Sequence, residues 1–159
     1  MREEGSACGG SDDAAVAWRH PLPGVRLARG DWLEAARSLE AGSVDLVYAD
    51  PPFNTGSAKR ARAGGFADRW EDIGSYLGWL RERIEATAGL LKPTGSILLH
   101  VDWRTCHHAR LMLDEILGAD RFVNHLVWSY GLGGSSPRRF ARKHDDILFY
   151  CVDPSLYYF

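Results

Sequence analysis

The chain has 159 residues, and its 19 lysines and arginines against 21 acidic residues give a formal net charge of -2, which excludes a uniformly basic nucleic-acid coat. With 45% hydrophobic and 25% charged residues it has the balance of one folded domain and not of a disordered tail. No apolar run approaches the roughly 20 residues that cross a bilayer, and no signal-peptide core follows Arg2, Glu3 and Glu4, so a cytoplasmic protein without membrane attachment is expected.

Residues 1 to about 20 are rich in Gly, Ser, Ala and acidic residues without periodicity and read as a disordered leader, with structure expected from near Pro23. Val25–Ala28 reads as a first strand. Asp31, with Glu34 three residues on, then opens a helix through Leu39 that Gly42 stops. Val44–Ala49 reads as the next strand, ending at Asp50, where Pro51 and Pro52 forbid its continuation. From Asn54 to about residue 72 a long basic loop is expected. Apolar residues at helical spacing from Ile73 to Leu91 predict a helix broken at Lys92-Pro93. After a turn at Thr94-Gly95, Ser96–Val101 reads as a buried strand ending at Asp102, which caps a helix from Trp103 to Leu117 closed by Gly118. Phe122–Tyr130 and Asp146–Val152 have no helix between them and should pair antiparallel across a loop at 131–145. The pattern is that of an α/β protein with a mainly parallel sheet.

Cys8, Cys106 and Cys151 are odd in number and never in Cys-x-x-Cys spacing, so free thiols are expected. Cys106-His107-His108 suggests a metal, yet adjacent helical residues point to different faces and cannot chelate together, so no metal site is expected there. Sixteen of the 19 basic residues are arginine, a bias that suits bidentate phosphate contacts and equally follows from GC-rich coding.

Asp31, Asp50 and Asp102 each follow an expected parallel strand, at the edge where open α/β sheets bind ligands, and are expected to converge. Asp50-Pro51-Pro52-Phe53 is the most informative stretch. It offers one carboxylate, two residues without N–H donors and with nearly fixed φ, and an aromatic face. Such a ledge suits a planar ring with an exocyclic amine, whose two N–H groups go to the carboxylate and a proline-flanking carbonyl while Phe53 stacks on the ring. Acceptors that pull those hydrogens out of the ring plane localise the nitrogen lone pair and aim it at an electrophilic methyl group. A base reaches such a pocket only after leaving its stack, and aromatic stacking of roughly 1–3 kcal/mol offsets part of that cost.

The segment from Val44 through Asp50-Pro-Pro-Phe-Asn-Thr-Gly56 closely resembles the catalytic motif of amino-group DNA methyltransferases that use S-adenosylmethionine. Gly30-Asp31-Trp-Leu-Glu34, Leu91–Trp103, Leu113–Gly118, Phe122–Tyr130 and Arg139–Tyr150 resemble that family's neighbouring segments in the same order. The resemblance spans about residues 25–159 and is closest to the β-class, which includes modification subunits of type III restriction systems. It implies a partial Rossmann-like methyltransferase sheet, parallel strands with an antiparallel hairpin at one edge, over residues 21–159. The implied enzyme is a site-specific, S-adenosyl-L-methionine-dependent DNA methyltransferase acting on a flipped base, adenine favoured over cytosine.

Asp50, Pro51, Pro52 and Phe53 are then the candidate catalytic residues, and Asp31, Asp50 and Asp102 the candidate cofactor contacts. Lys59, Arg60, Arg62, Arg138, Arg139, Arg142 and Lys143 are candidate phosphate contacts to double-stranded DNA. The family's Pro-Phe-x-Gly-x-Gly cofactor segment has no counterpart. Gly131-Leu-Gly133-Gly134 does not replace it, because no helix opens after it, and it reads instead as a mobile DNA-facing loop. The chain therefore reads as the target-base half of a methyltransferase, with weak binding of the cofactor, exposed sheet edges and dependence on a complementary chain or restriction subunit as expectations. Two other readings stay open at this point: an RNA guanine amino-methyltransferase, whose cofactor loop would precede the ledge, and a non-catalytic DNA-binding or assembly remnant.

Overall fold

Pro23-Gly24, with Gly24 at φ +73°, closes a tight turn between β1 (Trp18–Leu22) and β2 (Val25–Ala28), which pair antiparallel. The computed structural model describes residues 18–61, 64–131, 134 and 136–157, with backbone alone over the strand residues between 57 and 67. Regular structure is thus present ahead of Pro23, in β1 from Trp18. The expectation that Val25–Ala28 starts the parallel sheet is corrected: the strand's partner is its neighbour β1, in a two-stranded sheet of its own. Pairing across a two-residue turn has a far smaller loop-closure cost than a crossover. Asp31 accepts from the Leu33 N–H at 2.8 Å and caps α1 (Trp32–Arg37), as its position predicts. These elements belong to a unit ending at Ser38, distinct from the unit that begins at Leu39.

The second unit is built on a four-stranded mixed sheet. β3 (Val44–Ala49) is followed by an antiparallel pair, β4 (Ser57–Ala61) and β5 (Gly64–Asp68), and then by α2 (Ile73–Ala88). The expected loop over 54–72 is therefore partly a hairpin. β6 (Leu91–Asp102) lies parallel to β3, α3 (Cys106–Leu117) follows, and β7 (Phe122–Ser129) and β8 (His144–Cys151) pair antiparallel. The strand order is β3-β6-β8-β7, so the antiparallel hairpin sits at one edge, as expected.

Two helix boundaries are corrected. α2 ends at Ala88 and not at Leu91, because Gly89 caps it and Leu90 and Leu91 are taken up by the next strand. The Thr94-Gly95 turn is absorbed as an irregularity within β6, where a side chain at Gly95 would lie 2.9 Å from the Lys92 carbonyl. α3 starts at Cys106 and not at Trp103: Asp102 accepts from the Arg104 N–H at 2.9 Å, making a turn of its own before the helix begins after Thr105.

Tyr76, Leu80 and Ile84 at four-residue intervals on α2, with Ala109, Met112, Leu113 and Leu117 on α3, bury against Ile97, Leu99, Val101, Leu148 and Tyr150 on one face of the sheet. The helices cover that face alone. By the alternation of the register, Leu46 and Tyr48 of β3 and Leu126 and Trp128 of β7 point to the other face, where they stay 58%, 54%, 39% and 63% exposed. Among the described residues no helix is long and apolar enough to cross a membrane.

Candidate active site

The parallel register of β3 and β6 decides what meets Asp50. Ala49 pairs with Leu99, so the next residues, Asp50 and His100, lie side by side at the carboxyl ends of their strands. Asp50 Oδ1 is 3.6 Å from His100 Nδ1, and its side chain is 61% exposed. The Tyr48 hydroxyl is 3.0 Å from the same nitrogen. On the far side, His100 Nε2 lies 3.4 Å from Asp145 Oδ2 of β8, and the Tyr130 hydroxyl donates to Asp145 Oδ1 at 3.2 Å. With the ring proton on Nε2, Nδ1 accepts from the Tyr48 hydroxyl. Burial first, then the nearby Asp50 and Asp145 carboxylates, raises the Tyr48 hydroxyl above its ordinary 10.0, so it stays a donor at neutral pH.

Phe53 completes the group, its ring centroid 5.2 Å from that of His100 and tilted by 56°. Pro51, Pro52 and Phe53 are all half-buried. What fixes them is the segment that follows. Asn54 has φ +56°, a left-handed conformation that Asn tolerates better than most residues, and its N–H donates to Asp68 Oδ1 at 2.6 Å. The Thr55 hydroxyl donates to the other oxygen of the same carboxylate, the Gly56 N–H donates to the Asp68 carbonyl at 2.9 Å, and the Trp70 N–H donates to Asn54 Oδ1 at 3.2 Å. Asp68 is 1% exposed. A buried carboxylate at the end of β5 thus clamps the exit of the ledge. Trp70 in turn packs in an aromatic cluster with Tyr76 and Trp79, which ties the clamp to the core.

The structure treats the other predicted residues unequally. Asp102 is 4% exposed, and its carboxylate accepts from the Arg104 backbone and pairs with the Arg104 guanidinium. Its acceptors are therefore committed within the chain. Asp31 caps α1 in the other unit. Arg138 and Arg139 are exposed in the β7–β8 connection, where the Arg138 N–H donates to Ser136 Oγ at 3.2 Å and Phe140 beside them is 97% exposed. The Arg142 guanidinium stacks 3.9 Å over the Trp103 ring, and Lys143, also exposed, accepts at its carbonyl from the Tyr130 N–H. Arg62 and the side chains of Lys59 and Arg60 lie outside the described residues, as do Leu132 and Gly133 of the glycine cluster.

Sequence reading missed Tyr48, Asp68 and Asp145 and gave His100 no part in the site. Asp145 had a legible signal: in Asp145-Asp146 at the head of a strand, one of two successive carboxylates must face each side of the sheet.

Chemically, the exposed ledge offers Asp50 and the carbonyls around Pro51 and Pro52 as acceptors beside an aromatic face, with a polar chain through His100 to Asp145 holding its inner edge. These groups suit a neutral planar amine. The committed Asp102 carboxylate does not suit the hydroxyls of a cofactor.

The family model described as DNA methylase, N6_N4_Mtase, matches residues 44–158. Type II methyltransferase M.HpaI of Haemophilus parainfluenzae is 29% identical over 134 residues, 84% of this chain and 41% of that protein. DNA adenine methyltransferase YhdJ of Escherichia coli is 27% identical over 135 residues, 84% of this chain and 43% of that protein. Among solved structures, the PvuII DNA methyltransferase (cytosine-N4-specific) superposes with a TM-score of 0.56 at 17% identity, over 77% of this chain and 47% of that one, a likeness of fold. The chain spans less than half the length of each.

Proposed function

Since the chain belongs to the N6_N4_Mtase family of DNA methylases, we propose that its second unit carries the target-amine side of an S-adenosylmethionine-dependent transfer of a methyl group to an exocyclic amine in DNA. The observation that carries this reading is the Asp50 ledge: an exposed carboxylate at a strand end, followed by two residues with no N–H to compete for acceptors, and an aromatic ring held by packing against His100.

The residues divide the work as follows. Asp50 accepts one amino hydrogen and a carbonyl at Pro51 or Pro52 the other, drawing the nitrogen lone pair out of conjugation, an interaction that strengthens as the nitrogen becomes tetrahedral. Phe53 stacks on the everted ring. Tyr48, His100 and Asp145 line the inner side of Asp50, and Asp68 fixes the chain beyond Phe53, so the ledge is set before the base arrives. The cofactor, when bound, supplies the electrophilic methyl group. Asp50 is exposed, while Asp102 serves the fold through Arg104.

Adenine is the favoured target, supported by the resemblance to the β-class and by the relative named as an adenine methyltransferase. Double-stranded DNA is the substrate, and the exposed Arg138 and Arg139 are phosphate contacts. The test is expression of the chain and of its Asp50→Ala variant in a bacterial host without DNA methyltransferases of its own, followed by mass spectrometry of DNA and RNA nucleosides. N6-methyladenine from the parent chain, by itself or co-expressed with a complementary chain carrying the family's cofactor segment, and not from the variant, is the expected result, and N4-methylcytosine would move the assignment to the other target. Methylated RNA guanine, or a signal unchanged in the variant, would overturn it. Duplex binding without any methylation would select the non-catalytic reading.

A further inference from the structure

Successive residues of β8 point to opposite sides of the sheet, so while Asp145 faces His100, Asp146 faces the helices. There it is 5% exposed and meets two side chains from other elements. His125 of β7 places Nε2 2.7 Å from Asp146 Oδ1 and 3.7 Å from the sulfur of Cys106, the first residue of α3. The three ligand atoms all lie within 4.8 Å of one another. A fourth donor, His144, has Nε2 4.0 Å from Asp146 Oδ2. The group borders a cavity of ≈ 390 Å³ that is also lined by Trp103, His107 and Arg110.

The arrangement is not a thiol-imidazole-carboxylate relay. A relay uses the two ring nitrogens separately, one toward the nucleophile and one toward the acid. Here sulfur and carboxylate converge on the same nitrogen. One proton cannot serve both well, whereas one ion set among the three satisfies all of them. With metal–sulfur bonds near 2.3 Å and metal–nitrogen bonds near 2.0–2.1 Å, the edges of a tetrahedral site are roughly 3.5 Å, close to the 3.7 Å between sulfur and nitrogen, while the 2.7 Å between His125 Nε2 and Asp146 Oδ1 is a hydrogen-bond length that opens by about 0.6 Å as the ion replaces the proton. The mixed set of thiolate, imidazole and carboxylate suits zinc, a borderline ion.

We propose that Cys106, His125 and Asp146 bind a zinc ion, with His144 completing the tetrahedron. The thiol proton leaves to solvent as the sulfur takes the metal. Such an ion would join the start of α3 to both strands of the edge hairpin. The sequence offers no compact motif for it, since the ligands stand at positions 106, 125, 144 and 146 on three elements.

The test uses the full chain, tag-free, reduced and freed of metal, titrated with zinc alone against a chromophoric chelator. One equivalent bound, with Cys106→Ser, His125→Ala and Asp146→Asn each weakening affinity by more than about 100-fold, is expected. His107→Ala, which changes a cavity residue outside the cluster, should bind as the parent does. Cobalt(II) gives a second readout: a thiolate-to-metal charge-transfer band and the intense visible absorption of a tetrahedral site, the former lost in Cys106→Ser. Far-ultraviolet circular dichroism confirms that each variant is folded. Less than one equivalent bound at micromolar free zinc, or a Cys106→Ser variant that keeps both affinity and charge-transfer band, would overturn the proposal.

Discussion

Asp50 is the residue that would touch the substrate, but its neighbours decide whether it is in position to do so. Its carboxylate is exposed, and Asp68, which nothing from solvent reaches, fixes the backbone just beyond Phe53 by accepting from Asn54 and Thr55. Replacing Asp68 by Ala removes both acceptors and leaves the Asn54 N–H without its partner in a left-handed conformation, at a cost of about 1–3 kcal/mol. We expect the Asp68→Ala variant to show that loss in urea denaturation and to lose methyl transfer by a larger factor than its stability accounts for, since the ledge is freed while Asp50 itself is intact. Activity falling only in step with the folded fraction would reduce Asp68 to a purely structural role. The ledge was legible in the sequence because its chemistry is contiguous: carboxylate, two imino acids and an aromatic ring follow one another. The clamp was not, because Asp68 is fourteen residues from Asn54 and is brought back only by the β4–β5 hairpin. Asp145 was hidden for the same reason, its meeting with His100 depending on which strand pairs with β6.

At the scale of elements, periodicity identified the helices and the strands of the large sheet, and the absence of a helical pattern between Phe122 and Asp146 identified the antiparallel hairpin. What periodicity could not decide was pairing. Val25–Ala28 has the look of a strand in either setting, and the local turn at Pro23-Gly24 assigned it to β1. The connection between β7 and β8 was legible as a basic loop, and the structure separates its cations by environment. Arg142 is occupied by the Trp103 ring, whereas Arg138 and Arg139 stand exposed beside Phe140. Charge reversal at both, Arg138→Glu with Arg139→Glu, is expected to leave the melting temperature unchanged, because both residues are exposed and their known bonds run through the backbone. If each arginine neutralises one phosphate, the logarithmic salt slope of duplex binding should shrink by about 2. An unchanged slope in titrations across salt concentrations would remove this loop from the DNA footprint.

For the molecule as a whole, the core on the helix side of the sheet is what makes the second unit stable, and two of its largest members carry hydroxyls. Tyr76 and Tyr150 are both 0% exposed. Burial is the main cause that raises each above the ordinary 10.0, with the Asp114 carboxylate beside Tyr150 adding to it there. In the unfolded chain both phenols lose their protons near pH 10.0, while in the folded chain they keep them. The unfolded state then binds fewer protons than the native one, so stability is whole below that pH and falls as pH rises beyond it, by about 1.4 kcal/mol per unit for each tyrosine. The urea midpoint of the parent chain should therefore decline steeply above that point. In a Tyr76→Phe, Tyr150→Phe variant the phenols have no proton to lose, and the decline should flatten even though the variant starts from a different neutral-pH midpoint. Parallel declines in the two proteins would mean that the alkaline limit is set elsewhere, and that the tyrosine pair does not govern the cohesion of α2, α3 and the central strands at high pH.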